Sequence, residues 1–408
     1  MTIPERIDVL LAYRYQADRV LNVVSQANIL AEYGLHVMVA ETGKDAQPEE
    51  GGFDDRVRRV VTQAFWEPSN APTNLVTRWR QHQGYVRHIR SILGAYKPKV
   101  IIAFDIDSCL AVADLARNED AYVIFHFCEQ PDLRPDLRIS TSFFRRWKTW
   151  QVLRKSPFAQ LIVLPDPYRA AIFQADTNIR NAIVVPNCPR LVRDLTETTW
   201  KKDIEAKLGR TCRIVAYVGG VAFGRGLMEA VESMHLWPLD AVLVCRGLIF
   251  PNFAAKLVQR AEELGVAERL IIQEVRGFER DAVWASDLST VEVGLAFHEP
   301  LNLNQLYSAF ASTKLHQYMS AGIPVIARTG PGFDELVDLA ETGECVDMSS
   351  PSSIGQAVTR LLSDEPRRLR LGQNGRRLHL TRFNYELCFA PVRDQIVSWC
   401  QTEPVLSA

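Results

Sequence analysis

An alternation of short apolar runs with longer amphipathic stretches constrains this chain more than any other feature. In the first half, strand-length runs fall at residues 7–12, 36–40, 100–104, 122–127, 160–164 and 182–185. In the second half they fall at 213–218, 240–245, 269–273, 291–296, 323–327 and around 344–346. Helix-like stretches fill much of the space between them. One covers 20–33, with Val20, Val23, Val24, Ala27 and Leu30 on one face and Gly34 closing it. Repeated strand–helix units predict parallel sheets covered by helices on both faces, since parallel neighbours need crossover connections. At 408 residues the chain exceeds one ordinary core. The expected fold class is therefore α/β, with two Rossmann-like domains that bind ligands at the carboxyl ends of their strands. Residues 1–192 form the first domain, the charged stretch 193–210 a linker, 211–384 the second domain, and 385–408 a terminal helix. The acidic stretch 41–55, with Gly51 and Gly52, reads as a loop.

Composition narrows the function classes. Basic and acidic residues nearly balance, 47 against 48, which gives no support to a nucleic-acid-binding role. No apolar run approaches the roughly 20 residues of a membrane span. The opening residues carry no signal-peptide pattern. The eight cysteines are scattered and form no Cys-x-x-Cys pair, as expected of free thiols in a reducing cytoplasm.

The most informative segment is 312–335. Ser312 and Thr313 cap a helix over 314–320 that Gly322 stops. A buried strand follows, and Thr329-Gly330-Pro331-Gly332 loops into another helix starting near Asp334 and Glu335. Helix N-termini, glycines and Lys314 at the ends of strands favour an anion, most naturally a phosphate. The run Ser-Thr-Lys-Leu-His-Gln-Tyr-Met-Ser-Ala-Gly-Ile-Pro-Val-Ile resembles the donor-binding segment of GT-B glycosyltransferases, the family 4 (group 1) retaining enzymes in particular. A second stretch, Tyr217 to Gly226, follows the first strand of the second half. It resembles that family's Tyr-x-Gly-Arg…Lys-Gly turn, with Gly219 and Gly220 allowing close backbone approach to phosphates. Arg225-Gly226 matches the Lys-Gly, while Gly220 stands where the family has its first arginine.

The resemblance implies a nucleoside-diphosphate sugar as co-substrate, UDP- or GDP-linked, with no cofactor and no metal. Arg225 and Lys314 neutralise the departing diphosphate. Gly247 resembles the glycine after the family's second strand, and Gly277-Phe278 the loop whose backbone meets the base. Ser312, Thr313, Gln317, Glu299 and Glu335 complete the expected donor set. The family's glutamate pair, seven residues apart, falls on Ala309 and Gln317. Gln317 still offers a neutral hydrogen bond to a ribose hydroxyl, and Glu299 is an alternative carboxylate.

On the acceptor side, His126 at a strand end is expected to orient the sugar or the acceptor, and stands with Arg225 and Lys314 in the catalytic set. In a second register Cys128 takes the histidine's place. Arg19, Asp105, Asp107 and Glu129 are acceptor-binding candidates; the acceptor is a glycan, a lipid-linked molecule or a small molecule. The basic aromatic helix over 143–155 is suited to peripheral contact with an anionic membrane. Competing readings take Asp105-Ile106-Asp107 as a metal-binding pair of a GT-A transferase or as a phosphohydrolase motif. A UDP-sugar epimerase, or a degenerate transferase that binds nucleotide or a partner without catalysis, are further alternatives.

Overall fold

The computed structural model describes residues 6–43, 52–62, 75–115, 121–133, 143–275 and 281–401. The chain divides into two compact units, Met1–Val185 with Glu386–Ala408, and Pro186–Tyr385. The sheet of the first unit contains β1 (Val9–Ala12), β2 (Val37–Thr42), β3 (Arg58–Thr62), β4 (Val100–Phe104), β5 (Tyr122–His126), β6 (Leu161–Leu164) and β7 (Ala182–Val184). Its order is β3-β2-β1-β4-β5-β6-β7, with parallel pairing throughout. The second contains β8 (Arg213–Val218), β9 (Ala241–Gly247), β10 (Leu270–Glu274), β11 (Val293–Ala296), β12 (Val325–Arg328) and β13 (Gly343–Val346). Its order is β10-β9-β8-β11-β12-β13, again parallel.

Both orders reverse beside the first strand of the unit, between β1 and β4 and between β8 and β11. Crevices outside the carboxyl ends of strands at such reversals are where doubly wound sheets take ligands. The central strands are apolar on both faces because helices cover both. Val9, Leu10, Leu11 and Ala12 are all fully buried, as are Val100 to Phe104. In the first unit Leu10, Ile101 and Phe125 pack with Tyr85, Ile89 and Leu110 from flanking helices. In the second, Val215, Leu243, Val293 and Ile326 pack with Leu227, Val231, Leu257 and Val358.

Three expectations are corrected. Glu41 and Thr42 belong to β2 rather than to a loop, because Glu41 is buried and takes the Ala17 N–H at 2.7 Å and the Arg59 guanidinium at 2.6 Å. Strand β3 was not anticipated. Its Arg-Arg-Val-Val-Thr lies at a sheet edge, where one side of the strand is unpaired and a lower apolar content suffices. The stretch 193–210 contains the helix Trp200–Leu208 and lies in the second unit. Trp200 and Trp284 sandwich the Arg246 guanidinium at 4.9 and 4.5 Å, and Arg246 pairs with Asp287 at 2.6 Å. A charged sequence here packs down because a buried cation–aromatic stack holds it.

The helix Tyr385–Gln401 belongs, beyond its first residue, to the first unit. Trp399 stacks on Tyr122 with ring centroids 4.5 Å apart, and Lys99 donates to the Cys400 carbonyl at 2.7 Å.

Candidate functional site

The second unit gathers its chemistry at the carboxyl ends of β8 and β11. Helix Thr313–Ala321 starts as its sequence requires. The Ser312 hydroxyl accepts the Leu315 N–H at 3.4 Å, and Gly322 ends the helix in a left-handed conformation. One turn in, the Tyr318 hydroxyl accepts from the Val218 N–H at 3.0 Å and lies 3.0 Å from the Ala216 carbonyl and 3.2 Å from that of Leu295. Its ring fits over β11 only because position 294 is glycine; a Cβ there would lie 2.5 Å from the ring. Tyr318 thus pins the helix to β8 and β11, and Lys314, four residues earlier on the same face, is delivered to the strand ends.

Lys314 is buried, and its ammonium donates to the Tyr217 hydroxyl at 3.0 Å and to the Phe297 carbonyl at 3.4 Å. The Tyr217 hydroxyl donates in turn to the Gly220 carbonyl at 3.1 Å. Burial, and then the charge of Arg225, push the Lys314 pKa well down. The Tyr217 ring also lies 4.2 Å from the Lys314 nitrogen, so the partners of Lys314 among the described residues are all neutral. Arg225 lies between Gly224 and Gly226, and its guanidinium donates to His298 Nδ1 at 2.6 Å. Among the described residues, neither Lys314 nor Arg225 forms an ion pair with a carboxylate. Arg225, and Lys314 when an arriving anion offsets the cost of its burial, thus bring positive charge to the glycine turns, which suits a diphosphate.

The glycines permit this approach. Gly219 donates to the Arg246 carbonyl at 2.9 Å, and a Cβ on it would meet the Lys314 stem at 3.6 Å. Gly247 takes φ 151°, and a Cβ there would lie 2.1 Å from the Gly219 carbonyl oxygen. Gly220 is half-buried beside the Phe250 ring. Gly277 and Phe278 lie outside the described residues. Thr313 and Gln317 are half-buried on the Lys314 helix. Glu299 donates its backbone N–H to the Gly224 carbonyl at 3.0 Å, tying the loop after β11 to that after β8.

Glu335 is exposed, and the turn before it is closed by its own chain, since Asp334 accepts the Gly330 N–H at 3.0 Å. The segment Asp334–Leu339 is a short wide turn of helix, and its N-terminus is not the open one expected. Asp334, Asp338 and Cys345 bring three potential metal ligands within 4.8 Å of one another, yet each aspartate already accepts a backbone N–H. Ala309 is fully buried, and a Cβ at Gly332 would lie 2.9 Å from its methyl. The main-chain turn occupies the space a glutamate would need there. Tyr217, His298 and Tyr318 had no assigned role in the sequence. The four-residue spacing of Lys314 and Tyr318 was a usable signal; the Arg225–His298 contact had none.

In the first unit the corresponding strand ends carry charges that satisfy each other. Asp107 accepts from Arg14 at 2.6 Å and Lys148 at 2.7 Å, with the Tyr15 hydroxyl at 3.4 Å. Burial works to raise its carboxyl, but Lys148 and Arg14 outweigh it and hold it at about 2. Asp105 goes the other way. Burial, with Glu129 nearby, raises it to about 7, although it accepts the Cys128 N–H at 3.0 Å. It also takes a left-handed φ of 60°, uncommon for a residue with a Cβ.

His126 has no exposed surface, stacks on Phe104 at 4.8 Å, and meets Gln26 Nε2 at 2.8 Å and Asn22 Nδ2 at 3.3 Å. Burial lowers its pKa to about 3, so it is a neutral ring held between two amides. Its two nitrogens face Gln26 and Asn22 inside the unit, and the ring presents no surface at the strand ends. Cys128 is half-buried beside Asn22, and Glu129 is exposed. Arg19 lies in the short turn Ala17–Arg19 before the first helix. In the helix Phe143–Lys155, Thr149 and Val152 face inward, while Arg145, Arg146, Trp150 and Arg154 face out. Among the described residues no helix is long and apolar enough to cross a membrane.

Residues 307–378 match the model of the glycosyl transferases group 1. A stretch of 171 residues is 30% identical to the D-inositol 3-phosphate glycosyltransferase of Corynebacterium glutamicum (strain R), covering 40% of this chain and 38% of that protein. The chain therefore spans well under half the length of that curated relative. Sucrose-phosphate synthase from Thermosynechococcus elongatus superposes with a TM-score of 0.73 at 19% identity, over 96% of this chain and 100% of that one. HepE of Anabaena, solved in complex with UDP, superposes at 0.68 and 13% identity over the same shares. Likeness at such identities shows the fold, α/β with two Rossmann-like units. The matched residues enclose Lys314 and the helix that carries it, which bears out the resemblance to the group 1 enzymes.

Proposed function

We propose that this chain, whose second unit carries a segment of the group 1 glycosyl transferases, moves a sugar from a nucleoside-diphosphate donor to an acceptor hydroxyl. The observation that carries the reading is the pair Lys314 and Arg225, two cations held on neutral acceptors beside the glycine turns at the β8 and β11 ends. The bond between the anomeric carbon and the β-phosphate oxygen breaks, and its electron pair leaves with the diphosphate. The acceptor oxygen bonds the anomeric carbon, and the acceptor proton passes to the departing phosphate oxygen. Negative charge grows on that leaving group in the transition state. Lys314 and Arg225 stabilise it there more than in the ground state.

The donor is UDP- or GDP-linked, and the Anabaena relative solved with UDP favours uridine. Retention at the anomeric carbon follows the resemblance. Metal is not required, because protein cations neutralise the diphosphate. The acceptor is bound by the first unit, with Asp105, Asp107, Glu129 and Arg19 as its candidate residues. The protein works in the cytoplasm, and the outward face of Phe143–Lys155 supports peripheral contact with an anionic membrane surface.

Calorimetric titration with UDP, GDP, ADP and dTDP, with and without EDTA, tests this, together with turnover of the matching sugars. One diphosphate should bind equally well in EDTA, and its sugar should be consumed once an acceptor is supplied. Absence of binding to all four would remove the donor site. The buried Ala309, where the family has a glutamate, favours a second reading, a protein that binds nucleotide without transfer. Tight binding with no consumption of any sugar nucleotide would establish it.

A further inference from the structure

We propose that His298 is a positioning residue of the donor site, a neutral anchor that aims the Arg225 guanidinium at the diphosphate. This rests on the donor reading above. Arg225 is flanked by Gly224 at φ 77° and Gly226 at φ 62°, left-handed conformations that glycine adopts without strain. A Cβ at Gly226 would lie 2.8 Å from Met348 and 3.1 Å from Phe297, which shows how closely this turn is pressed against the loop after β11. That loop supplies the anchor. His298 Nδ1 meets the guanidinium at 2.6 Å, and the Glu299 N–H bonds Gly224 at 3.0 Å.

The chemistry of the contact fixes the ring. A guanidinium only donates, so Nδ1 must be the unprotonated acceptor and the ring proton must sit on Nε2. Nε2 lies 3.4 Å from the Ser312 hydroxyl, which therefore accepts from it. The same hydroxyl caps the helix that carries Lys314. One imidazole thus joins the loop of one cation to the N-cap of the other. Its neutrality matters as much as its reach. A carboxylate here would hold Arg225 equally well and cancel the charge the diphosphate needs; an imidazole holds it and cancels nothing.

This predicts an ordering that a merely structural residue would not give. Titrations use whichever of UDP, GDP, ADP or dTDP binds the wild-type chain best, alongside its nucleoside. His298→Ala should weaken the diphosphate about tenfold and leave the nucleoside unchanged. His298→Asn, which keeps an acceptor near the Nδ1 place, should recover to within about threefold of wild type. His298→Glu should bind the diphosphate more weakly than His298→Ala, despite keeping an acceptor. Nitrogen-15 NMR of the wild-type protein gives a check independent of any variant, with Nδ1 of the unprotonated type and Nε2 carrying the proton. The opposite tautomer would overturn the proposal. So would wild-type diphosphate affinity in His298→Ala while Arg225→Ala still weakens it; in that outcome the donor reading stands. A wild-type chain that binds no diphosphate would instead bring down the donor reading, and the anchor with it.

Discussion

The two strand-order reversals are built on the same plan and are electrostatic opposites. At the ends of β1 and β4, Arg14 and Lys148 converge on the Asp107 carboxylate. At the ends of β8 and β11, Lys314 and Arg225 converge on a phenol, a carbonyl and an imidazole. A cation paired with a carboxylate has little left for a ligand; a cation propped by neutral acceptors keeps its field. Sheet topology therefore says where a ligand can bind, and the partners of the charged residues say whether an anion will.

The sharpest way to break this comparison is to make the first reversal resemble the second. Asp107→Asn replaces the carboxylate by a neutral acceptor and takes the counter-charge from buried Arg14 and half-buried Lys148. It should cost about 3 kcal/mol, as loss of one partner of a buried pair does, and shift the denaturant midpoint accordingly. The variant should also gain more thermal stabilisation from added phosphate than the parent does. Unchanged stability and no phosphate response would mean that the pairing is incidental.

Next in size, Lys314→Ala should weaken nucleoside-diphosphate binding about 50-fold, in the range of a charge-assisted hydrogen bond lost. Lys148→Ala should leave that affinity alone. Calorimetry on the two variants decides it, and equal losses would mean that the two reversals do not differ in their hold on an anion.

A smaller effect separates the two aspartates of the first unit. With its folded pKa raised to about 7, Asp105 favours the fold most at low pH, and that contribution fades as pH rises from about 4 towards 7. Asp107, held at about 2, contributes above about 4 and loses its contribution as pH falls towards 2. Asp105→Asn should therefore flatten the loss of stability between pH 4.5 and 7.5, measured by urea denaturation at both values. A slope identical to the parent's would show that Asp105 is ionised throughout. The smallest change expected is at Gln317. Gln317→Glu should hold or raise donor affinity within about threefold if the side chain meets a ribose hydroxyl, and a complete loss would give that position another task.

What the sequence disclosed follows from what each element needs locally. Buried parallel strands must be apolar on both sides, so 100–104 and 213–218 were legible at once. The Ser312 cap and the Gly322 stop were legible because helix ends have chemical requirements of their own. Edge strand β3 escaped because it needs few apolar residues, and Trp200–Leu208 because its packing depends on Arg246 and Trp284, distant in sequence. Lys314 could be placed through its motif. The burial of His126 between Asn22 and Gln26, and the bond from Arg225 to His298, depend on pairings about 75 to 105 residues apart that no spacing rule encodes. Residue types announce that a site exists; its protonation states are set by neighbours.

The terminal helix carries a consequence for synthesis. The second unit is continuous in the chain, whereas the first draws on residues from both sides of it. During translation, residues 186–385 have all emerged before the segment bearing Trp399 leaves the ribosome to meet Tyr122. The half made first is therefore the half finished last, its final surface open to chaperones or to premature pairing until then.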